Sequence, residues 1–175
     1  EDSIYVVSHG GGINGFNTII SRAPSDQSLI VLLNNTGGAP LNEMTQAIRG
    51  IMYGKTYDLP KKSLAYDVLA VIETEGIDRG VEHFNKHKDS DSFELREREV
   101  NEVGYKLMGE KRFEEAAKIF ELNIGAYPKS SNVYDSYAEA LMNLGENDLA
   151  IVNYQKSIEL NPANQQGIDM LKKLG

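Results

Sequence analysis

The order of apolar and polar positions divides the chain into a short β-rich part and a longer helical part. Apolar and polar residues alternate from Gly15 to Ala23, and an apolar run follows from Ser28 to Leu33. The intervening Pro24-Ser25-Asp26 is typical of a turn. From Leu41 to Tyr53 the apolar residues recur at helical spacing. We therefore expect antiparallel strands and a closing helix, with a connector from Gly54 to Lys62.

The helical part contains a 34-residue repeat. Residues 97–130 align with residues 131–164, small residues coincide at Gly104 and Ala138, and aromatic residues coincide at Phe120 and Tyr154. Five further positions are identical: Leu107 and Leu141, Met108 and Met142, Ala116 and Ala150, Ile124 and Ile158, Pro128 and Pro162. This period resembles that of the tetratricopeptide repeat (TPR), which implies two antiparallel helices in each unit.

Two units fall short of the roughly three that such a stack needs to cover its apolar faces. Residues 61–96 contain two weaker helical stripes and are interpreted as a degenerate repeat, with a polar loop from His87 to Glu94. Residues 165–175 place apolar side chains at Ile168, Leu171 and Leu174. We expect this last segment to form a capping helix.

A histidine and three glycines follow the first apolar residues of the chain. They are His9, Gly10, Gly11 and Gly12. An imidazole at the end of a strand can bind a substrate carboxylate, and the glycines allow close approach of a substrate backbone. The Gly12 N–H is a candidate donor to a developing oxyanion. The alternative is a glycine-rich hairpin with a surface histidine.

The His9-Gly10-Gly11 triplet resembles the His-x-Gly or Lys-Thr-Gly triplet of serine β-lactamase-like hydrolases. That group takes its nucleophile and base from Ser-x-x-Lys and Tyr-x-Asn motifs upstream of the triplet, and neither motif occurs in this chain. The resemblance covers residues 1–60. It implies the C-terminal fragment of a β-lactamase-like hydrolase domain, inactive alone, from a parent serine hydrolase of the β-lactamase, D-amino-acid peptidase or esterase type.

Gly10, Gly12 and Gly15 also match the dinucleotide fingerprint G-x-G-x-x-G. That motif binds a pyrophosphate only where a helix begins at the third glycine. The residues after Gly15 are β-branched and alternate in polarity, which favours a strand. We therefore expect no nucleotide and no other cofactor.

The charges are distributed unevenly between the two parts. Residues 1–62 hold five acidic and five basic side chains, whereas residues 63–175 hold twenty-one and thirteen, so the net charge of −8 belongs to the helical part. This balance disfavours nucleic acid as a partner. Cysteine is absent, and no apolar run approaches the length of about 18 residues that suggests a membrane span.

The first helix of each repeat is expected to line a concave face that binds a peptide or protein, or packs on the parent hydrolase domain. Asp135 and Glu139 have the wrong sign for a clamp that captures acidic peptide tails. The eight candidate residues on this face are Arg98, Asn101, Tyr105, Met108, Asn132, Asp135, Glu139 and Met142.

Other polar groups predict no site. His83 and His87 lie four residues apart, as zinc ligands can, but no third ligand stands at a diagnostic spacing, so no metal site is predicted. The acidic pairs Glu97 with Glu99 and Glu114 with Glu115 are expected to lie on solvated helix faces.

The sequence thus predicts an α+β chain: short antiparallel strands with a closing helix, the end of a β-lactamase-like sheet, followed by an all-α TPR-like domain. The main hypothesis is a hydrolase fragment with an appended interaction module. The alternative is a non-enzymatic TPR adaptor. The hydrolase resemblance also implies an extracytoplasmic location, in the bacterial periplasm or cell envelope. Strands within residues 1–35 are expected to present an exposed edge and face through which the chain self-associates.

Overall fold

Thirteen helices and strands occur in the part of the chain that the structure, a computed structural model, describes: residues 4–13, 16–35 and 39–174. The elements form two compact units, one with β1 to β5 and α1, and one with α2 to α8. Their bounds are β1 Val7–Ile13, β2 Phe16–Ala23, β3 Ser28–Asn34, α1 Leu41–Met52, β4 Lys62–Ser63, α2 Leu64–Glu75, α3 Ile77–His87, β5 Phe93–Glu94, α4 Glu97–Gly109, α5 Phe113–Ala126, α6 Ser131–Leu144, α7 Asn147–Leu160 and α8 Gln165–Leu174.

The first unit contains an antiparallel sheet in the order β1-β2-β3. The β2–β3 connection is closed by Asp26, whose carboxylate accepts a hydrogen bond from the Ser28 N–H at 3.0 Å. One sheet face is buried at Ile19, Ser21 and Ile30. Helix α1 packs on this face, where Arg49 donates a hydrogen bond to the Ser21 hydroxyl. The predicted strands and closing helix are confirmed.

The opposite face of the sheet, which we call the open sheet face, exposes a row of large apolar side chains. Phe16 is 57% and Leu33 is 78% exposed. Ile13, Ile20, Leu29 and Val31 are exposed as well. Strand alternation explains the division, since every second residue of β2 and β3 points away from α1.

A second, very short sheet joins segments on either side of the α2–α3 hairpin. Lys62 and Ser63 of β4 pair in parallel with Phe93 and Glu94 of β5. The segment from His87 to Glu94, interpreted from sequence as a polar loop, therefore contains a strand. Two residues are too few to leave a periodic pattern.

The second unit is built from helical hairpins. Helices α2 and α3, α4 and α5, and α6 and α7 form successive pairs, and α8 packs on α7. The α4–α5 and α6–α7 hairpins follow the predicted 34-residue period, so a TPR-like helical fold is confirmed. The core runs through the pairs at fully buried repeat positions such as Leu107, Ala116 and Ala150.

Small residues allow the two helices of each hairpin to approach. A methyl group added at Gly104 would lie 2.4 Å from the Phe120 ring. In the next repeat Ala138 and Tyr154 occupy the equivalent positions, and both are fully buried. In the first regular hairpin the Phe120 ring thus occupies the space that a side chain at position 104 would need. In the second hairpin the methyl group of Ala138 is accommodated together with Tyr154.

The turns inside the two regular hairpins have the same backbone geometry. Lys111 has φ of 61° and Gly145, 34 residues later, has φ of 79°. Equivalent hydrogen bonds close both turns, from the Arg112 N–H to the Leu107 carbonyl and from the Glu146 N–H to the Leu141 carbonyl. The left-handed conformation suits glycine and strains lysine.

Polar side chains tie one hairpin to the next. The Glu97 carboxylate accepts hydrogen bonds from the Ser130 hydroxyl at 2.9 Å and the Asn132 amide at 3.2 Å. Glu99 is buried and pairs with Arg96 at 2.9 Å. The expectation of a solvated face was therefore wrong for Glu99, which is buried, whereas Glu97 is half-buried.

Candidate functional site

The His-Gly-Gly segment forms β1 of the sheet. His9 is exposed and stands opposite Ile20, which stands opposite Val31. Directly opposed residues of neighbouring strands share a face, so His9 belongs to the open sheet face. The structure thus places the imidazole away from α1, among exposed apolar side chains.

The three glycines of this segment are not required by contacts within the sheet. A methyl group at Gly10 or Gly12 would be in ordinary contact, 3.6 Å or 3.5 Å from the nearest backbone oxygen, and one at Gly11 would lie 3.3 Å from the Thr18 hydroxyl. Glycine in a strand often marks close approach by a ligand or another backbone. The assigned roles of His9, Gly10, Gly11 and Gly12 stay predictions.

The eight candidate residues of the repeats lie on α4 and α6, the first helices of the two regular hairpins. Three of them serve packing or salt bridges. The Arg98 side chain is 86% exposed and pairs with Glu102 at 3.1 Å. Asn132 ties α6 to Glu97, and Met142 packs against the buried cluster around Tyr154. Met108 is half-buried.

The remaining four candidates form what we call the α4–α6 face: Asn101, Tyr105, Asp135 and Glu139. The Tyr105 hydroxyl donates a hydrogen bond to Glu139 at 2.9 Å, which joins the two helices. The Asp135 carboxylate accepts a hydrogen bond from the Asn164 amide at 2.6 Å. Both acidic side chains are half-buried, and the structure brings them one helical turn apart.

Phenol groups around this face hold their protons unusually tightly. Burial raises the pKa of Tyr105 to about 12, and the negative charges of Glu139 and Asp135 act in the same direction. Burial also raises the pKa of Tyr154, with further contributions from Asp135, Glu139 and Tyr105. The Tyr105 and Tyr154 hydroxyls therefore stay protonated near the two carboxylates of this face.

Two features of this region were missed by sequence reasoning. Tyr66 of α2 donates a hydrogen bond to Glu102 of α4, and this pair precedes the Tyr105–Glu139 pair by one hairpin. Tyr154 of α7 is fully buried, in a cluster with Ala138 and Leu141 of α6. The sequence signal for these bonds was a tyrosine followed by a glutamate about one repeat later. Tyr66 and Glu102 are 36 residues apart, and Tyr105 and Glu139 are 34 residues apart.

The histidines of α3 form a small cluster of their own. His83 Nε2 lies 2.8 Å from an Asp67 carboxylate oxygen, and the rings of His83 and His87 are 4.6 Å apart between centroids. Within the residues described, no three histidine, cysteine or acidic side chains are grouped closely enough to hold a metal ion. Nor does any described helix combine the length and the apolar character that crossing a bilayer would need.

No family model matches the chain, and the search of curated proteins found no match. Solved structures with TPR domains do resemble it. The first TPR of Spaghetti (RPAP3), bound to the HSP90 peptide SRMEEVD, is 18% identical, with a TM-score of 0.45 over 63% of this chain and 86% of that one. A single-residue mutant of MamA is 20% identical, with a TM-score of 0.49 over 63% of this chain and 80% of that one.

A third similar structure is the second TPR domain of human RPAP3 in complex with the HSP70 peptide SGPTIEEVD. It is 17% identical, with a TM-score of 0.46 over 75% of this chain and 97% of that one. All three TM-scores are below 0.5. The TPR-like fold is therefore assigned from this chain's own paired helices and 34-residue period.

Proposed function

We propose that the helical unit is a protein-interaction module that binds an extended segment of a partner protein on its α4–α6 face. The observation that supports this proposal is the set of half-buried polar groups on two adjacent first helices, where Tyr105 and Asp135 are held by hydrogen bonds. Held polar side chains on a rigid helical scaffold offer a partner fixed geometry at low entropic cost.

The experiment is a peptide array probed with the whole chain, followed by NMR titration with the peptides that bind. Amide resonances of α4 and α6 should shift, whereas those on the exposed side of α5, at Glu114 and Glu121, should not. Shifts confined to α5 and α7 would contradict the assignment of the face. Absence of binding to any peptide on an array of varied composition would contradict the proposed function itself.

A second candidate concerns the sheet. We propose that β1 contributes the substrate-carboxylate and oxyanion side of a β-lactamase-like serine hydrolase site, with His9 and the Gly12 N–H in those roles. The supporting observation is that His9 projects from the open sheet face, whose exposed apolar side chains suit a covering catalytic segment. The extracytoplasmic location belongs to this proposal, and fractionation of host cells with an antibody to the chain tests it.

The catalytic role is tested by adding a polypeptide that carries Ser-x-x-Lys and Tyr-x-Asn motifs, with a chromogenic lactam or ester as substrate. Turnover should appear only with both components. It should fall about 10- to 100-fold in His9→Ala, because a hydrogen bond to a charged substrate carboxylate contributes about 1.5–3 kcal/mol. The control Glu121→Ala alters an exposed charged residue of α5 and should retain turnover. Turnover that survives in His9→Ala would count against the role of this residue.

A further inference from the structure

Building on the proposed protein-binding function, we infer that the partner is cationic: a peptide segment whose lysine or arginine head group lies between Asp135 and Glu139 on the α4–α6 face. A cationic segment is the opposite of an acidic peptide tail, which would need cationic groups on this face.

The two carboxylates lack a cationic counterpart among the residues that the structure describes. Asp135 and Glu139 lie four residues apart on α6, a spacing at which like charges destabilise a helix. No lysine, arginine or histidine among the described residues lies within 4.0 Å of either one, and Arg98 on α4 is paired with Glu102. A bound cation would relieve this repulsion.

Each carboxylate is fixed through one oxygen and leaves the other available. Asp135 accepts from Asn164 through Oδ1, and Glu139 accepts from Tyr105 through Oε2. Asp135 Oδ2 and Glu139 Oε1 have no hydrogen-bond partner among the residues described. The anchored oxygens hold both groups in place before any ligand arrives, which reduces the entropic cost of binding.

Neighbouring polar groups add unused hydrogen-bonding capacity. The Tyr154 hydroxyl is completely buried and has no partner in the described structure, and the carbonyl oxygen of the Asn101 side chain is likewise buried without a donor. Burial is the main cause of the raised pKa of Tyr154, and the charges of Asp135 and Glu139 add to it, so this hydroxyl lies within electrostatic range of the two carboxylates. A buried polar group without a partner is costly.

A multi-donor cation matches this inventory. A lysine ammonium has three N–H donors and an arginine guanidinium has five, and neither accepts. The α4–α6 face offers the complement at its surface in the carboxylate oxygens of the half-buried Asp135 and Glu139. Tyr105 adds an aromatic ring, 38% exposed and held edge-on by Phe120 at 5.3 Å between centroids, that can receive a cation on its face.

The test measures binding of three fluorescein-labelled twelve-residue peptides by anisotropy, with the whole chain. The peptides share a Gly-Ser-Ala-Leu background and differ only in bearing lysine and arginine, glutamine, or glutamate. We expect the cationic peptide to bind at least 10-fold more tightly than the other two. Its affinity should fall as salt rises from about 50 to 500 mM, because exposed ion pairs are screened.

The double variant Asp135→Asn, Glu139→Gln should weaken binding of the cationic peptide at least 10-fold. Asparagine and glutamine retain the acceptor oxygens used by Asn164 and Tyr105, so the fold should be preserved. The matched control Glu114→Gln, Glu121→Gln makes the same change in net charge on exposed positions of α5. It should bind within about twofold of the wild type.

The outcomes separate this inference from the function on which it rests. If the glutamine or glutamate peptide binds as tightly, or if the double variant loses no more than its control, the cationic ligand is excluded while peptide binding stands. If no peptide of the varied array binds, the interaction function fails and the inference with it. Should the double variant unfold, Glu139→Gln alone and the salt dependence of the wild type decide the question.

Discussion

At the residue scale, Lys111 occupies a backbone conformation that its side chain disfavours. The equivalent position of the next repeat is Gly145, and the hydrogen bonds that close the two turns are the same. We expect Lys111→Gly to stabilise the protein by about 1 kcal/mol, the usual penalty for an L-residue with positive φ. Chemical denaturation followed by circular dichroism measures this change.

Gly145 supplies the control for that prediction. Gly145→Ala places a side chain in the same conformation, with open space around it, so it should destabilise by about 1 kcal/mol. A Lys111→Gly variant less stable than the wild type would mean that the lysine side chain contributes an interaction that outweighs the backbone strain.

Tyr105 should make stability depend on alkaline pH. Its pKa in the folded protein is about 12, against an ordinary value of 10, so the unfolded chain loses this proton first. The contribution is complete below about pH 10 and is lost as pH rises towards 12. Absorbance near 295 nm should be measured against pH for the wild type and for Tyr105→Phe. The difference between the two curves should show one group that titrates near pH 12.

The corresponding stability measurement compares denaturation midpoints at pH 9 and pH 11. The wild type should lose more stability over this interval than Tyr105→Phe does, because the variant has no proton at that position to release. Equal losses, or a difference titration centred at pH 10, would contradict the assigned environment of Tyr105 between Glu139 and the core.

At the scale of elements, the contact between α4 and α5 depends on the missing side chain at Gly104. Gly104→Ala forces a methyl group against the Phe120 ring, which lies at 2.4 Å from the added atom, and should destabilise by about 1–3 kcal/mol through overpacking. Gly109→Ala on the same helix meets no atom within 4 Å. It should be neutral or stabilise by up to about 1 kcal/mol.

Both variants add one methyl group to α4, where alanine is favoured over glycine, and they differ in whether that group meets a neighbouring ring. A Gly104→Ala protein as stable as Gly109→Ala would show that the Phe120 ring moves aside at no cost. If Gly104→Ala destabilises as expected, the same change should cost less in a Phe120→Leu background, since removing the ring makes room for the methyl group.

Much of this element-scale organisation could be predicted from sequence, because it depends on properties that recur locally. Gly104 with Ala138 and Pro128 with Pro162 indicate the helix pairs and their ends, and the alternation after Gly15 indicates the strands. The Tyr105–Glu139 bond could not be predicted, because it depends on the relative placement of two helices one repeat apart. The buried hydroxyl of Tyr154 likewise depends on packing that a period alone does not specify.

At the scale of the whole molecule, the open sheet face predicts self-association of this chain. Its exposed apolar residues, among them Ile20 and Val31, form a continuous surface across β2 and β3, and such surfaces are prone to association. Light scattering at increasing concentration should show dimers or larger species. Ile20→Thr with Val31→Thr retains β propensity and should shift the equilibrium towards monomer.

Leu149 and Val152, exposed on α7, provide the control for this prediction. Replacing both with glutamine removes the same number of exposed apolar residues from the helical unit and should leave the association unchanged. A chain that stays monomeric at the highest attainable concentration would show that the first unit is self-contained despite its exposed face.

The β4–β5 pairing has a consequence for how this protein can be divided or recombined. Phe93 and Glu94 pair with Lys62 and Ser63, so the chain passes between its two units three times. The segments before and after the α2–α3 hairpin are therefore paired with each other as strands. A single cut after residue 63 would strip β5 of its partner strand. Residues 62–94 are the better segment to exchange between proteins as one piece, because its two ends already lie side by side.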